Sequence, residues 1–302
     1  MTTSPPPRHV ETGVNALTDP DRRQFLRYTR TERWPMLERH PIAGTVHRDL
    51  LAGMLAISRE QVARGLEALQ TEASRAVTDL LGDTRARAAI QGLPFSAGDR
   101  VVAVGDSITA DRLGWFETLT AAAGPAGLDQ ISLINLGLSG NTTADVLERF
   151  DLLEAARPTR VLMMLGTNDA RRHGRRTGHR MVTGEETERN LRVLTGLVTG
   201  DLEAELTLIT PPPVDGPVSA AYFAGLPLTW DAEAVADIAA AVRSIDPGCV
   251  DLYAEMESHG LEGLLESDGV HPTPAGQQFI LSAVLRHLTT VRPASEAGAA
   301  VS

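Results

Sequence analysis

The chain holds a serine, a histidine with a carboxylate three residues before it, and two groups able to donate to an oxyanion. All sit in short glycine-marked segments: Gly105-Asp106-Ser107-Ile108-Thr109, Gly137-Leu138-Ser139-Gly140-Asn141-Thr142, Gly166-Thr167-Asn168-Asp169 and Asp268-Gly269-Val270-His271-Pro272. Together they contain what acyl transfer through a serine requires. A serine hydroxyl is a weak nucleophile until a base takes its proton. His271 is the base on offer, and Asp268 is spaced to curl back onto Nδ1, fix the tautomer and leave Nε2 facing Ser107. Gly140 lets a backbone N–H approach a substrate closely. The Asn168 amide can donate to a tetrahedral oxygen, as can the Ser107 N–H at the start of a helix. Alone, each residue has an ordinary explanation: a turn serine, a capped His-Pro loop, a turn glycine, an Asx-turn asparagine. Four such segments in one chain argue for a site.

The elements that must position these residues alternate. Apolar runs at Val101–Val104, Ile131–Asn135, Val161–Leu165, Leu206–Ile209 and Val250–Leu252 read as strands, and the first three lead directly into the first three segments. Helical periodicity falls between them, at about 111–123, 143–156, 186–199 and 231–244, with a last helix at 274–289. Continuous apolar strands separated by helices predict a parallel sheet covered on both faces, with the site at the carboxyl ends of its strands. Before this lies a helical pattern over 20–92. Its clearest helix opens at Ser58 with Gln61 completing a capping box, lines Val62, Leu66, Leu69, Ala73, Val77 and Leu80 on one face, and has a stop at Gly82. Shorter helices are expected over 20–33 and 43–56. The domain plan is a disordered segment 1–19, a helical extension 20–92, a catalytic domain 98–290 and a disordered tail 291–302.

Composition narrows the function. The chain has 302 residues and a formal charge of −11, which argues against a nucleic-acid partner. All 28 basic residues are arginine, so Schiff-base and Ser-Lys mechanisms are excluded. Cys249 is the sole cysteine, so there is neither an internal disulfide nor a cysteine cluster for a metal. No signal-like segment or membrane-length apolar run is present, and a cytoplasmic location without membrane contact is the expectation. No cofactor or metal is expected.

The four segments resemble the blocks of the SGNH hydrolases, also called GDSL esterases and lipases. Ser107, Gly140, Asn168 and His271 match the residues that name that family, and Asp268 matches its triad acid; the first block reads Gly-Asp-Ser-Ile. The resemblance covers roughly 98–290. It implies a flavodoxin-like three-layer α/β/α sandwich with a five-stranded parallel sheet in the order 2-1-3-4-5. It also implies hydrolysis of a small-molecule acyl ester, acetyl or short acyl, through a Ser107-His271-Asp268 triad and an acyl-enzyme. The stretch Ile209-Thr210-Pro211-Pro212-Pro213-Val214-Asp215 is similar to a segment of isoamyl-acetate-hydrolysing esterases. Residues 1–95, which include the helical extension, have no counterpart there.

Substrate contacts are expected at Asp106, Arg171, Arg172, Pro213, Tyr222 and Phe223. The two arginines open a run with five arginines, Ala170 to Arg180, that suits an anionic group. The two aromatics lie in Ala220–Trp230, an aromatic concentration in a chain with 4% Phe, Trp and Tyr. Acyl transfer or thioester cleavage in a biosynthetic pathway, and a non-catalytic scaffold recruited through the extension, remain open as alternatives. A nucleotide binder is disfavoured by the lack of any phosphate-loop pattern. The stripe from Val62 to Leu80 calls for a partner surface: the catalytic domain, a second copy of the chain, or another protein.

Overall fold

The computed structural model describes residues 18–40, 44–174 and 178–290. The segments 1–19 and 291–302 expected to be disordered therefore lie outside the described residues, except for Thr18 and Asp19, which open the first helix.

The N-terminal helices are α1 (Asp19–Tyr28), α2 (Pro35–Glu38), α3 (Gly44–Leu55), α4 (Arg59–Gly82) and α5 (Thr84–Gln91). Local chemistry sets their starts. Thr18 and Asp21 form a capping box at α1, and Ser58 and Gln61 form another at α4, with Ser58 N–H donating to Gln61 Oε1 at 2.8 Å. Gly82 lies within α4; Asp83 ends it and caps α5 by accepting from Arg85 N. Val62, Leu69 and Val77 of α4 are buried, and full burial of such a side chain stabilises by roughly 1.5–3 kcal/mol. Val62 and Leu69 pack with Leu26, Leu51, Leu55 and Leu113, while Val77 joins the core beside the parallel sheet, so the apolar stripe is covered by this chain's own helices and by that core.

The core runs β1 (Arg100–Gly105), α6 (Ser107–Ala110), α7 (Trp115–Ala123), β2 (Ser132–Asn135), α8 (Thr143–Glu148), α9 (Phe150–Ala156), β3 (Arg160–Met164), β4 (Arg171–His173), β5 (His179–Arg180), α10 (Gly184–Gly196), β6 (Glu205–Ile209), α11 (Gly216–Tyr222), β7 (Leu228–Trp230), α12 (Ala232–Ile245), α13 (Leu252–His259) and α14 (Pro274–Thr290). The sheet is parallel with order β2-β1-β3-β6. Alternation along β1 sends Val101 and Ala103 into one core with α7 and α14, and Val102 and Val104 into another with α10. Helices thus cover both faces.

Four strands stand where five were expected. The run Val250–Leu252 contributes only Val250, which bridges Ile209 in parallel. The next residue, Asp251, caps α13 by accepting from Ala254 N at 3.2 Å, so the chain turns helical before a ladder can extend. The expected helix 143–156 is broken at Arg149, whose buried guanidinium turns inward. A second, antiparallel sheet of β5-β4-β7 was not foreseen. Its strands have two or three residues, too short for alternation to show in sequence.

Candidate active site

β1 delivers the serine. Asp106 follows its last residue, caps α6 by accepting from Ile108 N at 2.9 Å, and so makes Ser107 the first residue of that helix. Ser107 Oγ lies 2.9 Å from His271 Nε2, and His271 Nδ1 lies 2.6 Å from Asp268 Oδ2. The other Asp268 oxygen accepts from the N–H groups of Val270 and His271, both at 2.9 Å. With Nδ1–H donating to Asp268, Nε2 is left to accept the Ser107 proton. Burial acts first on Asp268 and pushes its carboxyl up, but the bonds and charge from His271 outweigh it and hold the group below its ordinary range.

The loop is braced from behind. Gly269 has φ +69°, and a side chain there would strike the Asp215 carbonyl oxygen at 2.8 Å. Asp215 N–H donates to the Gly269 carbonyl at the same separation, 2.8 Å. Pro213 is buried and is not among the residues lining the cleft.

Gly140 adopts φ +87°, in the left-handed region that favours glycine. Asn168 follows β3, is 5% exposed, and points its amide nitrogen at the Asn141 carbonyl at 3.2 Å and at Asp106 Oδ2 at 3.4 Å. Two buried groups hold this corner. Arg149 Nε donates to Asn141 Oδ1 at 2.6 Å, and Asp169 accepts from Thr143 and Thr187. Asp106 is 1% exposed; burial raises its carboxyl to about 6, with Asp169 adding to the rise and the Ile108 N–H and His271 opposing it. It underlies the site as a cap and does not line the cleft.

Ser107, Gly140, Asn168, Asp268 and His271 open onto one cleft of about 520 Å³. One wall is a row of rings, with Tyr222 and Phe223 centroids 4.8 Å apart and Phe223 and Trp230 4.9 Å apart. Arg171 stands over Trp230 at 5.8 Å and lines the cleft, with no carboxylate in ion-pair range among the described residues. Burial pushes its guanidinium down. Arg172, the next residue along the strand, points away and pairs with Asp231 through two bonds of 2.8 and 2.5 Å. Arg175 and Arg176 lie outside the described residues. The opposite wall comes from α1, chiefly Phe25 and Tyr28. These two carried no motif in the sequence, and their amphipathic helix gave no sign of which surface it covers. A hollow of about 610 Å³ is lined by Asp251, Ala254, Glu255, Ser258, His259 and Phe279, and no hydrogen bond joins its serine to its histidine. Among the described residues no group of three or more His, Cys, Asp or Glu converges as a metal site would, and no helix is long and apolar enough to cross a membrane.

Comparison with known proteins points the same way. The model of the GDSL-like lipase/acylhydrolase family matches residues 103–279, a segment that contains every member of this constellation. Esterase TesA of Pseudomonas aeruginosa is 28% identical over 196 residues, 63% of this chain and 87% of that protein. The lipase/acylhydrolase of Enterococcus faecalis overlays with a TM-score of 0.52 at 23% identity, covering 64% of this chain and 96% of its own. The acetyl xylan esterase AlAXEase overlays with a TM-score of 0.52 at 20% identity, covering 62% of this chain and 98% of its own. The last two likenesses concern the fold.

Proposed function

The chain belongs to the GDSL-like lipase/acylhydrolase family and is a carboxylic ester hydrolase, and from that premise we propose that Ser107, His271 and Asp268 cleave a small-molecule, short-acyl ester through an acyl-enzyme. The observation that carries this is the unbroken chain of short contacts from Ser107 Oγ through His271 to Asp268, at the floor of a cleft. His271 Nε2 takes the Ser107 proton as Oγ bonds to the ester carbonyl carbon. The carbonyl oxygen becomes an oxyanion, received by the N–H groups of Ser107 and Gly140 and the Asn168 amide. The protonated imidazole, steadied by Asp268, returns the proton to the departing alkoxide. Water, deprotonated by the same base, then releases the acid and restores Ser107.

Arg171 supplies the substrate class. A cation on the cleft wall that has no carboxylate partner among the described residues fits an ester whose distal part carries a carboxylate or phosphate, with its apolar part along Tyr222, Phe223 and Trp230. Arg171→Met should raise KM for such an ester and leave KM for p-nitrophenyl acetate unchanged; equal effects on both would remove the anion subsite.

The mechanism is tested with a fluorophosphonate, which should add one label per chain, on the Ser107 peptide. Ser107→Ala should lose both the label and p-nitrophenyl acetate turnover. An unlabelled Ser107 in a fully active protein would refute the acyl-enzyme. A non-catalytic scaffold is disfavoured because all five site residues face one open cleft.

A further inference from the structure

Arg27 and Tyr28 close α1, upstream of the segment that the family model matches. Both nevertheless reach the loops of the site. Arg27 is 2% exposed and uses three nitrogens: Nε and Nη2 grip the two oxygens of Asp111 at 2.8 and 2.6 Å, Nη1 meets Glu266 Oε1 at 2.6 Å, and Nη2 also donates to the Pro272 carbonyl at 3.1 Å. Glu266 and Pro272 bracket the loop that carries Asp268 and His271, and Glu266 N–H donates to the His271 carbonyl at 2.7 Å. Asp111 ends the short helix α6 that Ser107 opens, and is further held by Gln277 Nε2 at 3.0 Å. One guanidinium therefore joins the nucleophile's loop to the base's loop. Tyr28 adds two contacts: its ring lies 4.7 Å from the His271 ring, and its carbonyl accepts from Ser139 Oγ, beside Gly140, at 2.6 Å.

We propose that Arg27 is a positioning residue for catalysis, setting the separation of Ser107 and His271 by clamping Asp111 to the Glu266–Pro272 loop, with Tyr28 seating the imidazole. The proposal rests on the triad reading above. A buried ion network of this kind is a poor source of stability, because desolvation of the charges offsets their attraction. Its geometric return is greater, since it fixes two loops whose separation the proton transfer depends on. Lysine could not replace it: a single ammonium has no planar fork to hold both Asp111 oxygens while reaching Glu266 and a carbonyl.

The test compares full-length Arg27→Lys, Tyr28→Leu and the charge-neutral pair Arg27→Met/Asp111→Asn with the parent, reading kcat, KM, the rate of fluorophosphonate labelling and the melting temperature. The paired variant keeps the test open if an unpartnered Asp111 would prevent folding. The Met/Asn pair should fold, lose about 10²-fold in kcat and in labelling rate, and keep KM near the parent value. Arg27→Lys should recover part of that loss. Tyr28→Leu removes the ring that lies against His271 and should lower kcat and the labelling rate; parent-like values in a folded protein would remove Tyr28 from the proposal. Parent-like kcat in folded Arg27→Lys and Met/Asn proteins would overturn the proposal, as would losses that match the unfolded fraction. Ser107→Ala is measured alongside: its inactivity assigns such a failure to Arg27 alone, whereas an active Ser107→Ala overturns the triad and this proposal together.

Discussion

Two loops meet at the cleft, each with a nearly buried aspartate, and the protein treats the two carboxyls in opposite ways. In the serine loop, Asp106 is raised to about 6, because burial outweighs the Ile108 N–H and the distant imidazole while Asp169 repels its charge. In the histidine loop, Asp268 is held below its ordinary range, because the Val270 and His271 N–H groups and the imidazole overcome burial. Both are nearly out of solvent, at 1% and 6% exposure, but Asp106 is the more deeply enclosed and burial weighs more on it. The charge of the donors adds to this: an imidazole bonds Asp268 directly, while Asp106 accepts only from neutral groups. The carboxylate beside the imidazole stays ionised well into acid; the one that caps a helix and holds an amide takes up its proton nearer neutrality.

Asp268→Asn should break this contrast most. Asparagine cannot hold the same tautomer, and kcat should fall on the order of 10⁴-fold while circular dichroism stays native. Stability has a pH signature of its own. Because the folded pKa lies below the unfolded one, Asp268 stabilises the protein above the unfolded value and loses that effect as pH falls through the folded value. The melting difference between parent and variant should therefore be present near neutrality and fade in acid.

Asn168→Ala comes next, with kcat lowered 10²–10³-fold, roughly the worth of one oxyanion donor, and KM little changed. An unaltered kcat would exclude Asn168 from the oxyanion site.

Asp106→Asn tests the other carboxyl and should act in the reverse sense on stability. Its folded pKa is about 6 against an ordinary 3.8, so the ionised form is disfavoured in the fold and its cost grows between those pH values. The variant should melt higher than the parent above pH 6, by on the order of 1–3 kcal/mol, and match it below pH 4. A melting difference independent of pH would show that the cap, and not the buried charge, decides.

The smallest effect separates two neighbouring arginines. Arg172→Ala breaks a half-exposed pair with Asp231 and should change stability by about 0–1 kcal/mol and turnover hardly at all, while Arg171→Met alters KM for anionic esters. Equal kinetic effects would mean that β4 acts as a unit.

How much of this was legible beforehand depends on the distance over which a residue finds its partner. That Ser107, Gly140, Asn168, Asp268 and His271 would converge on one cleft was readable because each sits in a short segment whose glycines and carboxylates dictate a local turn. The sheet was readable from its apolar runs up to the last, where Asp251 converts a would-be strand into a helix. Arg171 and Arg172 looked equivalent, since only the pairing of β4 with β7 decides which of them faces the cleft. Arg27 could not be read at all. Its partners lie 84 and 239 positions away, and a solvated arginine on an amphipathic helix looks the same in sequence.

That separation also dates the site during synthesis. Ribosomes add about 5–20 residues per second, so Arg27 leaves the tunnel roughly 12–50 s before Glu266 can reach it. Asp111 arrives earlier and can neutralise the guanidinium in the meantime, a temporary mate for a cation headed into the interior. Closing the longer loop is an entropic step that only the nearly finished chain can take. Under the proposed triad and clamp, nascent fragments carry the serine without an aligned base, and ester cleavage is expected only once the first helix and the penultimate loop have met.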